Sequence, residues 1–299
     1  MVLRGLEKCK KPGIGLKSNI VRLFHILSGE KVGCGQVDPF RIVPNKRFGQ
    51  HFLVQKSAIQ VIANAALASN ASCLLEIGPG QGAITEPLLA DGRRLWAIDI
   101  DPDAIELVTR RFCGFENFHP ILGDAICVPL DFGDSISVVG NLPYNSATAI
   151  FKRFLLHPIP WDRMVLMFQL EVGQKLMGRT GKKEYGPLSI LTQLTCRASM
   201  VIKLGPRSFY PPPKVNSVVI MFEPNCSGLP LECRGDFLDL LYTSFKYRRK
   251  TLANNLHEVF TKSKVEKIFT VASIPVNVRA EDISPDGWLR IFNAVFSFV

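Results

Sequence analysis

Short apolar runs alternate with helical periodicities through the middle of the chain. Apolar positions recur at spacings of three and four between Ile59 and Leu67, which predicts a helix, and the run Cys73–Ile77 after it predicts a buried strand. Further strands are predicted at residues 95–99, 117–122, Ile136–Gly140, 164–168, 200–204 and 217–222, with helices such as 103–112 and Ala147–Leu156 between most of them. This alternation is typical of an α/β fold with a doubly wound, largely parallel, Rossmann-like sheet.

The pattern divides the chain into three parts. Residues 1–40 carry a surplus of Lys and Arg with scattered Gly and Pro, and we expect a flexible basic extension. Residues 41–224 hold the predicted sheet. Turn-forming residues follow, and the remainder of 225–299 has helical periodicity without a strand, which predicts a small all-helical C-terminal domain.

Composition and charge restrict the classes of protein to which this chain can belong. The 299 residues are 47% hydrophobic, yet no apolar stretch is long enough to cross a bilayer, so a membrane-spanning protein is excluded. The net charge of +10 favours a polyanionic partner such as nucleic acid, although a merely soluble basic protein has the same balance. Eight cysteines occur without a C-x-x-C pair, which indicates a reducing compartment and no metal site.

A glycine-rich turn follows the first predicted strand. Residues 76–82 read Glu-Ile-Gly-Pro-Gly-Gln-Gly, and Asp99 ends the next strand 21 positions after Gly78. Glycines let a cofactor approach the backbone, and a carboxylate can hold a ribose diol, so we predict a nucleoside-cofactor site. The spacing also fits the loose dinucleotide pattern. Glu76 ahead of the glycines, with Asp124 after the third strand, favours S-adenosylmethionine.

The segment Asn141, Leu142, Pro143, Tyr144 and Asn145 follows the strand Ile136–Gly140 and should lie at the same sheet edge. Methyl transfer to an exocyclic amine needs acceptors on both N–H bonds, because the nitrogen lone pair must leave the ring system and become nucleophilic. The amide oxygen of the asparagine and the carbonyl of either the leucine or the proline fit this need. The tyrosine ring can stack on the base.

With these motifs in place, the chain resembles the adenine dimethyltransferases of small-subunit ribosomal RNA. The resemblance runs from about Arg47 to Arg290. Its motifs are residues 47–53, 76–82, 97–101, 123–125, 141–145, 169–172, 209–215 and 245–250. The family often has Asn where His51 stands and Glu where Asp99 stands, and both differences keep a polar contact.

The resemblance implies roles for single residues. His51 and Leu53 would close over the cofactor, Gly78 would contact its amino-acid portion and Asp99 its ribose. Asp124 would read the cofactor adenine. Asn141 would lie between the cofactor and the target amine, and Phe209 would stack on a flipped-out adenine opposite Tyr144.

Two groups of basic residues are predicted to contact RNA phosphates. The first basic cluster is Lys175, Arg179, Lys182 and Lys183, and the second basic cluster is Lys246, Arg248, Arg249 and Lys250. Solvated charged faces are the alternative interpretation. The neighbouring aromatic residues Tyr185, Phe245 and Tyr247 and the surplus positive charge favour RNA contact.

The function implied is methyl transfer from S-adenosylmethionine to adenine amines of small-subunit ribosomal RNA, with dimethylation of two adjacent adenines by resemblance. An immature small subunit is the expected partner, and the protein is expected to be a cytoplasmic monomer. An organelle matrix is the alternative location if residues 1–40 are a transit peptide. Alternative functions are methylation of large-subunit RNA with antibiotic resistance, or a non-catalytic RNA-binding assembly or transcription factor.

Overall fold

A computed structural model describes residues 50–225 and 229–296 of the chain. The predicted basic extension at 1–40, the first three residues of the motif 47–53 and residues 226–228 of the predicted turn lie outside the described residues. No helix in the described part of the chain is long and apolar enough to span a bilayer.

A seven-stranded sheet forms the centre of the molecule, and two further short strands pair beside it. The strands are β1 Phe52–Leu53, β2 Cys73–Ile77, β3 Arg94–Asp99, β4 Phe118–Leu122, β5 Ile136–Gly140, β6 Trp161–Gln169, β7 Cys196–Leu204, β8 Phe209–Tyr210 and β9 Ser217–Pro224. The helices in the described residues are α1 Lys56–Leu67, α2 Thr85–Leu89, α3 Pro102–Arg111, α4 Ala147–Leu156, α5 Leu170–Leu176, α6 Pro187–Thr195, α7 Arg234–Ser244, α8 Leu252–Leu256, α9 Lys262–Ala272 and α10 Pro285–Phe296.

The order across the large sheet is β4-β3-β2-β5-β6-β9-β7. The first five strands in this order are parallel, whereas β9 runs antiparallel to both β6 and β7. The predicted doubly wound, largely parallel sheet is therefore confirmed, with an antiparallel edge. Since the order reverses direction beside β2, the carboxyl ends of β2, β3 and β5 form the crevice in which such sheets bind ligands.

The antiparallel pair β1 and β8 was not predicted from the sequence. Phe52 pairs with Tyr210 and Leu53 with Phe209. Two residues are too few for a periodicity to appear, so only the tertiary fold defines this ribbon. It brings the chain before α1 against the chain before β9.

Local chemistry explains where several helices begin. The Asp101 carboxylate accepts the N–H of Asp103 at 3.1 Å and caps α3, whose first residue is a proline. Thr251 and Thr261 cap α8 and α9 through their hydroxyl groups. These caps satisfy amide groups that the first helical turn leaves without partners.

The C-terminal helices share a hydrophobic core with the sheet. Phe151 and Phe222 of the sheet region belong to the same buried cluster as Phe237 and Trp288 of α7 and α10. The Phe237 and Phe292 rings lie 5.2 Å apart inside the helical region. The boundary predicted at residues 224 and 225 therefore separates two segments whose apolar surfaces are buried together, and a division into two domains stays a prediction.

Candidate active site

A pocket opens at the carboxyl ends of β2, β3 and β5, where the sequence places its glycine loop, its acidic residue and its asparagine turn. These strands are hydrogen-bonded neighbours, so the three segments meet although they are far apart in the chain. The residues around the pocket are Gln50, His51, Phe52, Gly78, Gly80, Asp99, Ile100, Asn141, Leu142, Pro143 and Tyr144.

Two glycines of the loop are required by their conformation and their surroundings. Gly78 has φ +74° and Gly80 has φ +53°, in the left-handed region that favours glycine. A Cβ on Gly80 would lie 3.0 Å from the Phe52 ring, and a Cβ on Gly78 would lie 3.3 Å from the Asn141 carbonyl oxygen. The bare backbone therefore forms the floor of the pocket.

Glu76 lies beneath this floor and is 1% exposed. The Thr85 hydroxyl donates a hydrogen bond of 2.6 Å to its carboxyl group. Burial raises the pKa of Glu76 to about 8, with a smaller contribution from the negative charge of Asp99. Burial therefore favours the protonated form of this carboxyl group.

Asp99 ends β3 and faces the pocket. Its carboxylate accepts the N–H of Asp101 at 3.0 Å. Burial raises the pKa of Asp99 to about 6, while hydrogen bonds from backbone N–H groups oppose this effect. The neighbouring Asp101 is held by the Gln50 side-chain amide at 2.5 Å, which ties the segment before β1 to this wall of the pocket.

The side chain of Asn141 is oriented by a single contact. Its Nδ2 donates to the His51 carbonyl oxygen at 2.9 Å, and its Oδ1 makes no hydrogen bond within the described residues. The amide therefore has its donor end fixed and its acceptor end free.

The carbonyl groups of the next two residues differ in their availability. The Pro143 carbonyl accepts the N–H groups of Ser146 at 3.0 Å and Ala147 at 2.9 Å, at the start of α4. The Pro143 carbonyl is therefore already occupied by hydrogen bonds within the protein. Of the two alternatives that the sequence left open, the Leu142 carbonyl is the one without this helix contact.

Tyr144 is held in place through its hydroxyl group and its ring. The hydroxyl lies 2.7 Å from the Ser217 hydroxyl at the start of β9, and the ring stacks on His51 at 5.7 Å between centroids. Burial raises the pKa of the phenol above its usual value. Ser217 was missed by the sequence reasoning, because a serine at the beginning of a strand carries no signal of its own.

The structure places three of the residues predicted to contact the cofactor in different surroundings. His51 lines the pocket, and its Nδ1 donates to the Pro211 carbonyl at 2.7 Å. Leu53 is 5% exposed and packs in the core on the other face of the ribbon. The Asp124 carboxylate accepts the N–H of Ile126 at 2.8 Å and lies outside the pocket lining. Closure by Leu53 and adenine recognition by Asp124 stay predictions.

The predicted stacking residue Phe209 is 4% exposed and packs in the same hydrophobic cluster as Leu53. A base could reach its ring only if this part of the core opened. Its neighbour Tyr210 is 58% exposed. The ribbon register decides this difference, since adjacent residues of a strand face opposite sides. Stacking by Phe209 stays a prediction.

All eight side chains of the two basic clusters are exposed, and a hydrogen bond connects the two clusters. Arg248 joins them: its guanidinium donates to the Lys183 carbonyl at 2.8 Å and pairs with Glu281 at 2.9 Å. Lys246 pairs with Glu258. Half of the second basic cluster is thus bound within the protein, which sequence alone does not reveal.

The aromatic residues beside these clusters have different roles. Tyr185 is buried rather than available to RNA, and its hydroxyl donates to the Ile283 carbonyl at 2.7 Å. Burial raises its pKa to about 12. Phe245 packs against the Trp288 ring at 5.8 Å. Tyr247 is 40% exposed, with the Lys250 ammonium 4.3 Å from its ring centre.

Comparison with known proteins identifies relatives that span most of the chain. The family model for ribosomal RNA adenine dimethylase matches residues 43–296. A protein of Prochlorococcus marinus named ribosomal RNA small subunit methyltransferase A is 34% identical over 275 residues, which are 88% of this chain and 94% of the relative. A protein of the same name from Clostridium botulinum is 31% identical over 272 residues, 88% of this chain and 98% of the relative.

Solved structures agree with the fold. A dimethyladenosine transferase from Plasmodium falciparum superposes with a TM-score of 0.70 at 24% identity, covering 81% of this chain and 96% of that one. The 23S rRNA methyltransferase ErmE gives a TM-score of 0.62 at 23% identity, covering 82% and 99%. The family match over residues 43–296, together with relatives above 30% identity, shows that this chain belongs to the ribosomal RNA adenine dimethylase family.

Proposed function

We propose that this protein transfers methyl groups from S-adenosylmethionine to the exocyclic amines of adenines in small-subunit ribosomal RNA. Family membership and the relatives named small subunit methyltransferase A support the reaction and the RNA. The observation that carries the proposal is the Asn141 amide, which lines the pocket together with Tyr144, donates through Nδ2 to the His51 carbonyl and leaves Oδ1 without a hydrogen bond among the described residues.

The residues present fit the proposed cofactor. The backbone at Gly78 and Gly80 leaves space that a Cβ would occupy, and Asp99 offers a carboxylate to a ribose diol at the same edge. Bound S-adenosylmethionine supplies an electrophilic methyl group on a positively charged sulfur. We assign Gly78, Gly80 and Asp99 to holding it, with His51 and Phe52 covering the opposite wall.

The target amine is assigned to the asparagine turn. Asn141 Oδ1 and the Leu142 carbonyl accept its two N–H bonds, which favours the tetrahedral nitrogen of the transition state over the planar nitrogen of free adenine. Tyr144 stacks on the base, and the Ser217 contact holds its ring in place. The protein needs no strong general base, because the amine becomes acidic after it accepts the methyl group.

Several finer points belong to this proposal. By resemblance, two adjacent adenines are each methylated twice, and the substrate is an immature small subunit that a monomer binds. The two basic clusters are assigned to RNA phosphates. A cytoplasmic location, or an organelle matrix if the extension is a transit peptide, stays a prediction of the sequence.

The test is incubation of the protein with labelled S-adenosylmethionine and either immature small subunits or large-subunit RNA, followed by nucleoside analysis. We expect label in dimethyladenosine from the small subunit. Label only in large-subunit RNA would replace the proposed substrate. Absence of label in both, with intact RNA binding, would favour the non-catalytic assembly or transcription factor.

A further inference from the structure

An exposed aromatic ring lies between two exposed cations in the segment that leads from β7 to β9. Tyr210 is 58% exposed, and Arg207 and Lys214 on either side of it are exposed as well. None of the three side chains has a hydrogen bond or ion pair within the described residues. Residues 205–216 contain no Asp or Glu, so the local charge is uniformly positive.

Single exposed tyrosines are common, and the position of Tyr210 is what distinguishes it. Tyr210 pairs directly with Phe52 across the ribbon, and directly opposed residues of an antiparallel pair project from the same face. The Phe52 ring lines the pocket beside Gly80, whereas Leu53 and Phe209 form the core-facing pair. Tyr210 is therefore on the pocket side of the ribbon.

The next residue is fixed to the wall of the pocket. The Pro211 carbonyl accepts a hydrogen bond of 2.7 Å from His51, whose ring stacks on Tyr144. The segment that carries Tyr210 is thus connected through two contacts to the ring of Tyr144, which we assign to stacking on the target base. Tyr210 is not among the residues that line the pocket, and from its pairing with the lining residue Phe52 we infer that it lies at the pocket mouth.

An adenine that enters this pocket must leave its stack, and its neighbours in the strand lose a stacking partner. Proteins hold such single-stranded nucleotides by stacking bases on aromatic rings and by placing Lys or Arg beside the phosphates. A ring flanked by two cations that have no ion pair among the described residues, in a segment without Asp or Glu, has this composition.

We propose that Arg207, Tyr210 and Lys214, here called the mouth platform, bind the RNA nucleotide that flanks the target adenine. Tyr210 stacks on its base, and the two cations contact the adjoining phosphates. This inference rests on the proposed function, because it assumes that the pocket receives an adenine from a strand. It assigns to Tyr210 a contact outside the pocket, separate from the stacking inside it by Tyr144.

The test measures binding of fluorescein-labelled oligoadenylate RNA to the full-length protein by anisotropy, over a range of salt concentrations. Tyr210→Ala should weaken binding about 5-fold to 100-fold with little change in salt slope, since alanine removes a stacked base. Tyr210→Phe should bind like the wild type, because the hydroxyl has no hydrogen-bond partner in the part of the chain that the structure describes. Lys214→Ala should lower the salt slope by about 0.7, as for one lost phosphate contact on a single strand.

Matched controls keep the interpretation specific. Tyr242→Ala removes a tyrosine of similar exposure from α7, and Lys267→Ala removes an exposed lysine from α9. Neither should change binding. S-adenosylmethionine affinity and the melting temperature should stay at wild-type values in all platform variants, since Tyr210 is largely exposed.

Oligoadenylate affinity of Tyr210→Ala equal to that of the wild type or of Tyr242→Ala would overturn the mouth platform. Absence of methyl transfer to any ribosomal RNA by the wild-type protein would instead refute the proposed function. Because oligoadenylate binding is measured without turnover, the two failures are distinguishable. If Tyr210→Ala binds weakly and methylates immature small subunits with a raised KM and an unchanged kcat, the platform is a substrate-binding surface as inferred.

Discussion

Asn141→Ala removes the two functions that the structure gives to one side chain. The Nδ2 group donates to the His51 carbonyl at 2.9 Å, and the Oδ1 of this pocket-lining residue has no hydrogen bond within the described residues. Alanine deletes both ends and leaves the His51 carbonyl without this donor. The substitution therefore tests the proposed acceptor and, separately, the attachment of the segment before α1.

The two losses have different sizes and act on different quantities. Loss of one oriented polar group that acts in the transition state lowers kcat by about 10²-fold to 10³-fold. Loss of one hydrogen bond to a partly buried carbonyl lowers the free energy of unfolding by about 0.5–1.5 kcal/mol. We expect S-adenosylmethionine affinity to change by a few-fold at most, because the glycine floor and Asp99 are untouched.

Asn141→Asp separates the acceptor from the donor. Aspartate keeps an oxygen at the pocket but replaces the Nδ2 donor with a second acceptor that faces the His51 carbonyl. If the orientation of the amide matters, this variant should lose at least as much activity as alanine although an oxygen is still present. The assay is single-turnover methyl transfer to immature small subunits at saturating cofactor, with calorimetry for cofactor binding and thermal unfolding for stability.

Single-turnover rates of Asn141→Ala near the wild-type rate would refute the assigned acceptor role. A loss of rate that disappears at high cofactor concentration would show that the residue mainly holds the cofactor. A reduced rate in Asn141→Ala with full activity in Asn141→Asp would refute the importance of the His51 contact, because the acceptor alone would then suffice.

Three other predictions follow from the site and the basic surface. Because burial raises the pKa of Asp99 to about 6, its carboxylate is ionised above that pH. S-adenosylmethionine affinity, measured by calorimetry, should therefore rise between about pH 5 and pH 7. The Asp99→Asn variant should bind the cofactor more weakly and should not show this rise. Ser217→Ala should raise KM for RNA several-fold with little change in cofactor affinity, because it removes the only hydrogen-bond partner that the Tyr144 hydroxyl has among the described residues; unchanged steady-state kinetics would contradict this. The double variant Arg249→Ala, Lys250→Ala should flatten the salt dependence of RNA binding and leave the melting temperature unchanged. Arg248→Ala should instead lower the melting temperature, because it breaks the contacts to Glu281 and to the Lys183 carbonyl.

The sequence predicts the centre of the sheet well because the strands there are buried on both faces. The runs Cys73–Ile77 and Ile136–Gly140 are fully buried and mostly apolar, so both strands can be recognised without tertiary information. The site follows from the same pattern, because parallel neighbouring strands bring their carboxyl ends together. Asp99 and Asn141 therefore reach one pocket, as their positions after apolar runs predict.

Other features depend on contacts between distant residues and leave no local trace. Phe209 and Tyr210 are adjacent aromatic residues in a proline-rich segment, and only pairing with Phe52 and Leu53 decides which ring is buried. The Pro143 carbonyl is lost as an acceptor because α4 begins after it. The sequence predicts Arg248 as a free surface cation, yet its guanidinium binds the Lys183 carbonyl and the Glu281 carboxylate.

The orientation of the proposed acceptor depends on a series of side-chain contacts with the ribbon segments, outside the large sheet. The Asn141 amide is set by the His51 carbonyl, and the His51 ring is set by the Pro211 carbonyl and by stacking on Tyr144. The ribbon of β1 and β8 holds the segment that contains His51 against the segment that contains Pro211. The sheet therefore fixes where the asparagine turn lies, whereas the ribbon fixes which way its amide points. Since the same ribbon carries Tyr210 at the pocket mouth, contact with RNA outside the pocket and orientation of the acceptor inside it share one small structural element.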